Sequence, residues 1–130
     1  YGQRKKSIIP MLIDSIKNKK KIEINFPSNL NDYINVKDVV KIIDNFINKK
    51  IKSGIYNVGS GKGIEVKELL KIIDFNINKN NKFTKEYLNQ IDEKKKFLNF
   101  YANTKKLNKY INNFKLIGTK EGIKDLIKKY

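Results

Sequence analysis

The clearest hydrophobic pattern along the chain has the spacing of amphipathic helices. Apolar residues recur every three or four positions, which places them on one face of a helix. We expect each such stripe to pack against a core. The stripes are Ile9, Leu12, Ile13 and Ile16; Val39, Val40, Ile43, Phe46 and Ile47; Val66, Leu69, Leu70 and Ile73; and Ile123, Leu126, Ile127 and Tyr130.

Polar residues before these stripes predict where the helices begin. Ser7, Asn35 and Thr119 fit the caps of the first, second and last helices, because their side-chain oxygens can accept a hydrogen bond from a free backbone N–H. Asp38, three residues after Asn35, predicts a variant of the capping box, and its carboxylate also favours the positive end of the helix.

Alternating apolar residues predict short strands between the helices. Candidates are Lys21 to Phe26, Ile55 to Val58 and a stretch near Lys82 to Tyr87, with a further extended piece at Asp32 to Asn35. Together the patterns predict a small α/β fold with about four helices and short strands.

The 130 residues suffice for one domain, so we expect 1–130 to be a single domain. The start at Tyr1 suggests a fragment of a longer protein.

The chain is strongly basic. Lys and Arg total 29 against 13 Asp and Glu, a net charge of +16, which is typical of proteins that bind nucleic acid or an anionic membrane. However, only Arg4 is Arg, and Arg is the preferred residue for forked recognition of phosphates and bases. Lys, Asn and Ile, with 28, 18 and 21 residues, make up about half of the chain, a bias typical of an AT-rich genome. We interpret the charge as mainly compositional, with a basic nucleic-acid-binding module as the alternative function.

Two missing residue types restrict the chemistry. The chain contains no Cys and no His, so disulfides and thiolate metal sites are impossible, and the usual neutral-pH base and metal ligand are missing. We expect neither a metal site nor a catalytic triad. No apolar run reaches the roughly 18–20 residues of a membrane-spanning helix. We therefore expect a cytoplasmic protein without a membrane partner.

Several residues are candidates for binding or acid–base chemistry. Asp32 and Asp38 could form a carboxylate pair, although Asp38 is more simply a helix-start residue. The turn "GSGKG" has the outline of a phosphate-binding loop without its glycine spacing, so a tight turn is the preferred interpretation. Arg4, ahead of a helix start, could contact a phosphate or sugar, or belong to a solvated basic loop.

The tyrosines among the lysines also have two interpretations. Tyr33, Tyr56 and Tyr101 could stack on nucleic-acid bases. Half-buried strand residues with a solvated hydroxyl are more common, and we prefer that interpretation.

Six segments, taken in order, resemble a known family. They are "YG" at Tyr1, "SIIPMLIDSI", "NDYINVKDVVKII", "GIYNVGSGKGIEVKELL", "YANTKKL" and "GTKEGIKDLIKKY". Their order and content resemble the C-terminal half of the NAD-dependent epimerase/dehydratase family, the extended short-chain dehydrogenases that act on nucleotide sugars. The resemblance implies a small substrate-binding lobe. It also implies that Arg4, Asn31, Asp32 and Tyr33 form the wall of the nucleotide-sugar cleft, with Asn31 in the position of the family arginine that contacts the substrate diphosphate.

The resemblance also implies what this chain does not do alone. The family's glycine-rich cofactor loop and its catalytic Tyr-x-x-x-Lys pair precede the "YG" segment, so we expect no catalytic, cofactor-binding or metal-binding residue here. A Tyr followed four positions later by a Lys occurs at Tyr1–Lys5, Tyr33–Lys37 and Tyr101–Lys105. The resemblance assigns each of these segments a role other than proton transfer. The chain alone should therefore be inactive.

The full-length parent implied by the resemblance uses NAD or NADP to exchange a hydride with a nucleotide sugar. Its expected partners are that substrate and its own N-terminal Rossmann lobe, and pairing of the parent as a homodimer is left open. The sugar, the nucleotide and the choice between epimerase, dehydratase and reductase are left open as well. A non-catalytic interaction domain that reuses this fold is a further alternative.

Overall fold

In the computed structural model, which describes residues 7–91, 98–111 and 115–130, the periodic stretches form helices where the sequence predicts them. The described ranges contain six helices and one two-stranded sheet, and the α/β class is confirmed. In chain order these are α1 (Ile8–Lys17), β1 (Leu30–Asp32), α2 (Val36–Asn48), β2 (Gly63–Glu65), α3 (Val66–Asn78), α4 (Lys82–Asn89), α5 (Lys105–Asn108) and α6 (Thr119–Ile127).

Helix α3 is the centre of the main core. It packs against α1, α4 and α6, and its predicted stripe of Val66, Leu69, Leu70 and Ile73 is buried. The α1 stripe is buried in the same cluster, which confirms that prediction. The α6 prediction is correct in part, because Ile123 is buried and Leu126 and Ile127 are partly buried, whereas Tyr130 is 46% exposed beyond the end of α6. Each fully buried Leu or Ile side chain contributes about 1.5–3 kcal/mol to folding, so this cluster is the main source of stability.

Helix α2 is oriented differently from the prediction. The structure buries Ile42 in a second, smaller cluster with Leu107 and Ile111, whereas Val40 and Ile43 of the predicted stripe are 60% and 52% exposed. The prediction was wrong because α2 has apolar residues on two faces, and the periodicity does not indicate which face meets the core.

The predicted helix starts are partly correct. The Asn35 side chain accepts a hydrogen bond from the Lys37 N–H at 3.0 Å, which confirms the cap of α2. The Ser7 side chain makes no capping bond, and the cap of α6 is Gly118, with Thr119 as the first helical residue. The capping box does not form, because the buried Asp38 carboxylate instead accepts the Ile117 N–H at 2.8 Å.

Three strand predictions were wrong. Residues 82–89 form α4, because Phe83 and Tyr87 are four residues apart and share one helix face against the main core. Residues 21–26 and 55–58 have no ladder partner among the described residues. The first of these segments is held beside α4 by a bond from the Ile24 N–H to the Tyr87 hydroxyl at 2.9 Å.

The sheet that does form is short and antiparallel. Leu30 pairs with Glu65, and Asp32 pairs with Gly63. Phe100 adds a parallel bridge to Asn31 from a later part of the chain. This small sheet brings three distant segments together at the point where β1 leads into α2.

Within the described ranges, no helix has both the length and the apolar composition needed to cross a lipid bilayer.

Candidate functional site

The Asp32 carboxylate, at the end of β1, joins three segments of the chain. One oxygen accepts the backbone N–H of Ser60 at 2.8 Å and also the Ser60 hydroxyl. The other accepts the backbone N–H groups of Gly61 at 3.0 Å and Ala102 at 3.1 Å. Hydrogen bonds to a charged acceptor are stronger than those between neutral groups. Asp32 therefore fixes the positions of residues that are 28 and 70 positions away along the chain.

The "GSGKG" turn is shaped by this contact. Gly61 has a φ of 71°, a left-handed conformation that glycine adopts without strain. At Gly59, an added Cβ would lie 2.6 Å from the Asp32 carboxylate and 2.6 Å from the Ala102 side chain. Two N–H groups of the turn, which could have bound a phosphate, bind a carboxylate of the same chain instead. The tight-turn interpretation therefore fits the geometry better than a phosphate-binding loop.

A cavity of about 500 Å³ opens beside this junction. Its walls come from β1, from the segment before the glycine turn and from the segment after Phe100. The polar and aromatic residues that line it are Asp32, Tyr56, Asn57, Phe100, Tyr101 and Asn103. Three of the segments that resemble the epimerase/dehydratase family thus contribute to one concavity.

The wall of this cavity combines aromatic surface with amide groups. Phe100 and Tyr101 are 79% and 55% exposed, so their rings are available to a ligand. The Asn57 amide donates to the Asn103 carbonyl at 3.3 Å, which links two of the walls. Tyr56 packs edge-on against Phe46, and the Lys106 ammonium lies 4.3 Å from the Tyr56 ring centre. The cavity therefore offers stacking surfaces, hydrogen-bond groups and a positive charge at its border.

The four sequence-predicted wall residues have different surroundings. Arg4, like Tyr1 and Gly2, lies outside the described residues. Asp32 borders the cavity, but its carboxylate is already occupied by the chain's own donors. Asn31 and Tyr33 are half-buried and do not line this cavity.

Tyr33 packs against the main core and is in contact with Asn31. Burial raises the pKa of the Tyr33 phenol above its usual value of 10.0, and a hydrogen bond with the Asn31 side chain partly opposes that rise. Both residues therefore contribute to the packing of the segment between β1 and α2 and not to the wall of the cavity.

The proposed pair of Asp32 and Asp38 has no shared task in the structure. Asp32 binds the glycine turn, whereas Asp38 is fully buried and accepts the Ile117 N–H. A general base needs a free lone pair directed at the substrate proton. Asp38 Oδ1 has no hydrogen-bond partner among the described residues, but it is fully buried and Asp38 does not line the cavity. The geometry therefore favours a binding site without acid–base catalysis by this pair.

A larger groove, of about 610 Å³, lies between residues 19–25 and α4. Ile22, Ile24, Phe83 and Tyr87 form its floor, and Lys and Glu side chains of both signs border it. Of the predicted site residues, the three that the structure describes, Asn31, Asp32 and Tyr33, do not line it. We regard the smaller cavity as the candidate site, because three resemblance segments converge there.

Sequence reasoning did not single out Asn57, Phe100 or Asn103 as site residues. Their signal is weak, because an exposed aromatic residue and two asparagines are ordinary in so Asn-rich a chain. The usable hint is that each lies in or beside a segment quoted for the resemblance, namely "GIYNVGSGKGIEVKELL" and "YANTKKL".

Comparisons with known proteins support the fold alone. No protein-family model and no curated protein sequence matches the chain. Among solved structures, the chain is similar to dTDP-glucose 4,6-dehydratase from Bacillus anthracis str. Ames, determined in complex with NAD, with a TM-score of 0.73 and 16% identity. The match covers 98% of this chain and 40% of the dehydratase chain. The chain therefore has the fold of part of a dehydratase and spans two fifths of that protein's length.

Proposed function

We propose that the chain is the substrate-binding lobe of an NAD-dependent enzyme that modifies a nucleotide sugar, in the manner of a dehydratase or epimerase. The observation that carries the proposal is the convergence of "NDYINV", "YNVGSG" and "YANTKKL" on one cavity, within a fold that matches a dTDP-glucose 4,6-dehydratase over 98% of this chain. In this proposal Arg4, Asn31, Asp32 and Tyr33 belong to the wall or support of the sugar-nucleotide cleft.

The chemistry of the cavity suits such a ligand. The exposed rings of Phe100 and Tyr101 can stack on a nucleobase or the apolar face of a sugar. Asn57 and Asn103 can exchange hydrogen bonds with hydroxyl groups. A diphosphate needs positive charge, which Asn31 cannot supply. We assign that role to Arg4 or to Lys106, whose ammonium donates to the Ile55 carbonyl at 2.9 Å beside the cavity.

The hydride chemistry belongs, in this proposal, to a second lobe of a longer protein. NAD is the cofactor in the dehydratase crystal structure, so NAD is the cofactor we expect for the parent. In this proposal the 130-residue chain binds the sugar nucleotide weakly and oxidises or reduces nothing by itself, because the cofactor and the catalytic Tyr and Lys belong to the other lobe.

The proposal is tested by titrating the chain with dTDP-glucose, UDP-glucose and the corresponding free nucleotides while ligand-observed NMR is recorded. Phe100→Ala should weaken binding about tenfold, because loss of a stacking ring costs about 1–3 kcal/mol. Phe75→Ala is the matched control, since Phe75 is 55% exposed on α3 and does not line the cavity. Equal affinities for both variants, or no binding of any nucleotide sugar, would contradict the proposal.

The net charge of +16 favours the nucleic-acid-binding alternative, and the salt dependence of binding to a polyanion distinguishes that alternative from the proposed function. Retention on a heparin or DNA column should fall away near physiological salt if the charge is compositional. Retention well above that salt, with a steep salt dependence, would indicate a dedicated polyanion site.

A further inference from the structure

The apolar groove, which lies between residues 19–25 and α4, continues into a second cavity. The groove has a volume of about 610 Å³, and Phe83 and Tyr87 form part of its floor. A basic cavity of about 580 Å³ adjoins it, because Lys19, Phe83 and Glu86 line both. No described residue lines both this pair of cavities and the candidate site. The pair is therefore separate from the site of the proposed function.

The basic cavity is lined by two turns that are rich in lysine and asparagine. Lys17 and Lys19 come from the end of α1 and the turn that follows it, and Asn78, Asn80 and Lys82 come from the junction of α3 and α4. Lys19 has a φ of 50°, in the left-handed region where helix ends usually place glycine. A lysine therefore occupies a strained backbone position at the border of both cavities.

The lysines around the two cavities outnumber the carboxylates that could neutralise them. Three of the lysines form ion pairs, which are Lys20 with Asp14 at 2.8 Å, Lys21 with Glu23 at 3.4 Å and Lys82 with Glu86 at 3.9 Å. Lys17 and Lys19 form no ion pair with any described residue. Both line the basic cavity. The unpaired positive charge is therefore concentrated there, at the end of the apolar groove.

A phosphate monoester has the charge that this cavity lacks. It carries about −1.5 to −2 at pH 7 and offers three acceptor oxygens, whereas a carboxylate carries a single charge and would neutralise only one of the two lysines. Each ammonium has three donor hydrogens, and Lys17 uses one of them on the Ile127 carbonyl at 3.4 Å. A nucleic-acid strand needs unpaired lysines along its whole path, and here the lysines on either side are already paired.

The apolar groove suits the body of such a ligand. Its volume lies within the roughly 300–1,000 Å³ of small-molecule sites. The half-buried rings of Phe83 and Tyr87 pack against the main core on one side and line the groove on the other, so they can contact an aromatic ring. The Tyr87 hydroxyl accepts the Ile24 N–H at 2.9 Å, which leaves its own proton available to a ligand oxygen.

We propose that the apolar groove and the basic cavity form a second binding site, for a small aromatic phosphate monoester. The phosphate binds Lys17 and Lys19, and the aromatic body lies over Phe83 and Tyr87. The bound ligand holds residues 19–25 against α4 and so stabilises the folded chain. This inference does not depend on the proposed function, because the two sites have no lining residue in common.

The test uses 1-naphthyl phosphate as the probe, titrated into the 130-residue chain while its fluorescence polarisation is recorded. Inorganic phosphate and 1-naphthol each carry one half of the probe and should bind at least about tenfold more weakly, because each lacks one of the two sets of contacts. Vesicles that contain phosphatidic acid present the same phosphate group on a lipid, and the chain should not bind them more tightly than it binds the soluble probe.

Lys19→Gly is the decisive variant, because glycine suits the left-handed backbone while the ammonium is removed. It should weaken binding of 1-naphthyl phosphate about tenfold, through loss of a hydrogen bond between charged groups. Lys79→Gly is the matched control, since Lys79 is exposed, has a φ of 60° and lines neither cavity. It removes the same charge and should leave the affinity unchanged. Urea unfolding should show both variants folded, because relief of the backbone offsets the freedom of glycine in the unfolded chain.

Four results would overturn the second site. An equal loss of affinity in Lys19→Gly and Lys79→Gly would mean that the net charge alone attracts the probe. Weaker probe binding in Phe100→Ala would place the probe in the candidate site. Inorganic phosphate binding as tightly as the probe would leave the groove without a role, and binding to the vesicles alone would make the ligand a lipid. Because the proposed function is tested with dTDP-glucose and Phe100→Ala, either conclusion can fail while the other holds.

Discussion

Replacing Asp32 by Asn tests the junction that shapes the candidate site. The substitution keeps the size of the side chain but leaves a single acceptor oxygen, whereas the carboxylate uses two oxygens to accept four hydrogen bonds. In one orientation the amide NH₂ group faces the N–H groups of Gly61 and Ala102. In the other it faces the Ser60 N–H and the Ser60 hydroxyl, and the hydroxyl can rotate to accept a hydrogen bond from it. Each net hydrogen bond to a charged group is worth about 1.5–3 kcal/mol.

Because the junction is only half-buried, water replaces part of this loss, and the lower figure is appropriate for each bond. In the less costly orientation one bond from a backbone N–H is lost, so we expect Asp32→Asn to lower the free energy of unfolding by at least about 1.5 kcal/mol, a substantial part of the roughly 5–15 kcal/mol typical of a domain. With a urea m-value of about 2 kcal/mol/M, the midpoint followed by circular dichroism should fall by at least about 0.8 M.

Asp44→Asn is the matched control for this measurement. Asp44 is exposed on α2 and accepts a side-chain bond from Asn48 at 2.9 Å, so its replacement should change stability by no more than about 0.5 kcal/mol. If the two variants unfold at the same urea concentration, the junction at Asp32 does not hold the three segments together, and the argument for the cavity's shape fails with it.

Three further predictions concern individual contacts. Gly59→Ala should destabilise the chain by about 1–3 kcal/mol in a urea titration, because the new Cβ would lie 2.6 Å from two neighbouring side chains. Gly118→Ala is the control and should be nearly neutral, because a Cβ at Gly118 would have no neighbour within 4 Å. Tyr87→Phe should cost about 1 kcal/mol in thermal or urea unfolding by removing the acceptor of the Ile24 N–H; an unchanged midpoint would mean that water replaces the bond fully. Because burial raises the pKa of Tyr33 above 10.0, the folded state retains that proton more tightly than the unfolded chain, so the stability it contributes is complete below about pH 10 and declines as pH rises above it. Urea midpoints measured from pH 9 to 11 should fall less steeply for Tyr33→Phe, and parallel curves for the two proteins would contradict this assignment.

Local patterns predicted the parts of the fold in which one face of an element meets one core. Helices α1 and α3 bury the stripes expected of them, because both stripes pack in the one main core. The alternation at residues 21–26 is also real, since Ile22 is buried while Glu23 and Asn25 are exposed. The predicted sheet at that position is absent because pairing depends on a second segment, and periodicity within the first contains no information about it.

The candidate site depends on contacts between residues that lie far apart in the sequence. Asp32 was predicted as a site residue, but its donors lie 28 and 70 positions later, and the sequence between them gives no sign that they meet. Motif order identified three segments that line the cavity, whereas the hydrogen bonds from the chain's own amides to the carboxylate are visible only in the folded geometry. The capping box was predicted wrongly for the same reason. The Asp38 carboxylate accepts the N–H of Ile117, a residue far along the chain, and the local sequence does not indicate this contact.

The hydrogen bonds that these carboxylates accept have a consequence for which Asp residues of the chain can be replaced by Asn. Asp32, Asp38 and Asp74 each accept backbone N–H groups from a distant or following segment, with Asp74 receiving the Thr84 N–H at 2.8 Å. A single G-to-A change converts an Asp codon to an Asn codon, the direction in which an AT-rich genome drifts, and 18 asparagines already stand in the chain. Drift of this kind is tolerable at solvent-facing acids. At Asp32, both carboxylate oxygens accept backbone N–H groups, so either orientation of the new amide would set its NH₂ group against a backbone N–H. At Asp38 and Asp74 a single oxygen accepts a backbone N–H, which the oxygen of an Asn could still accept. Asp32 is therefore the position of the three at which this change costs most.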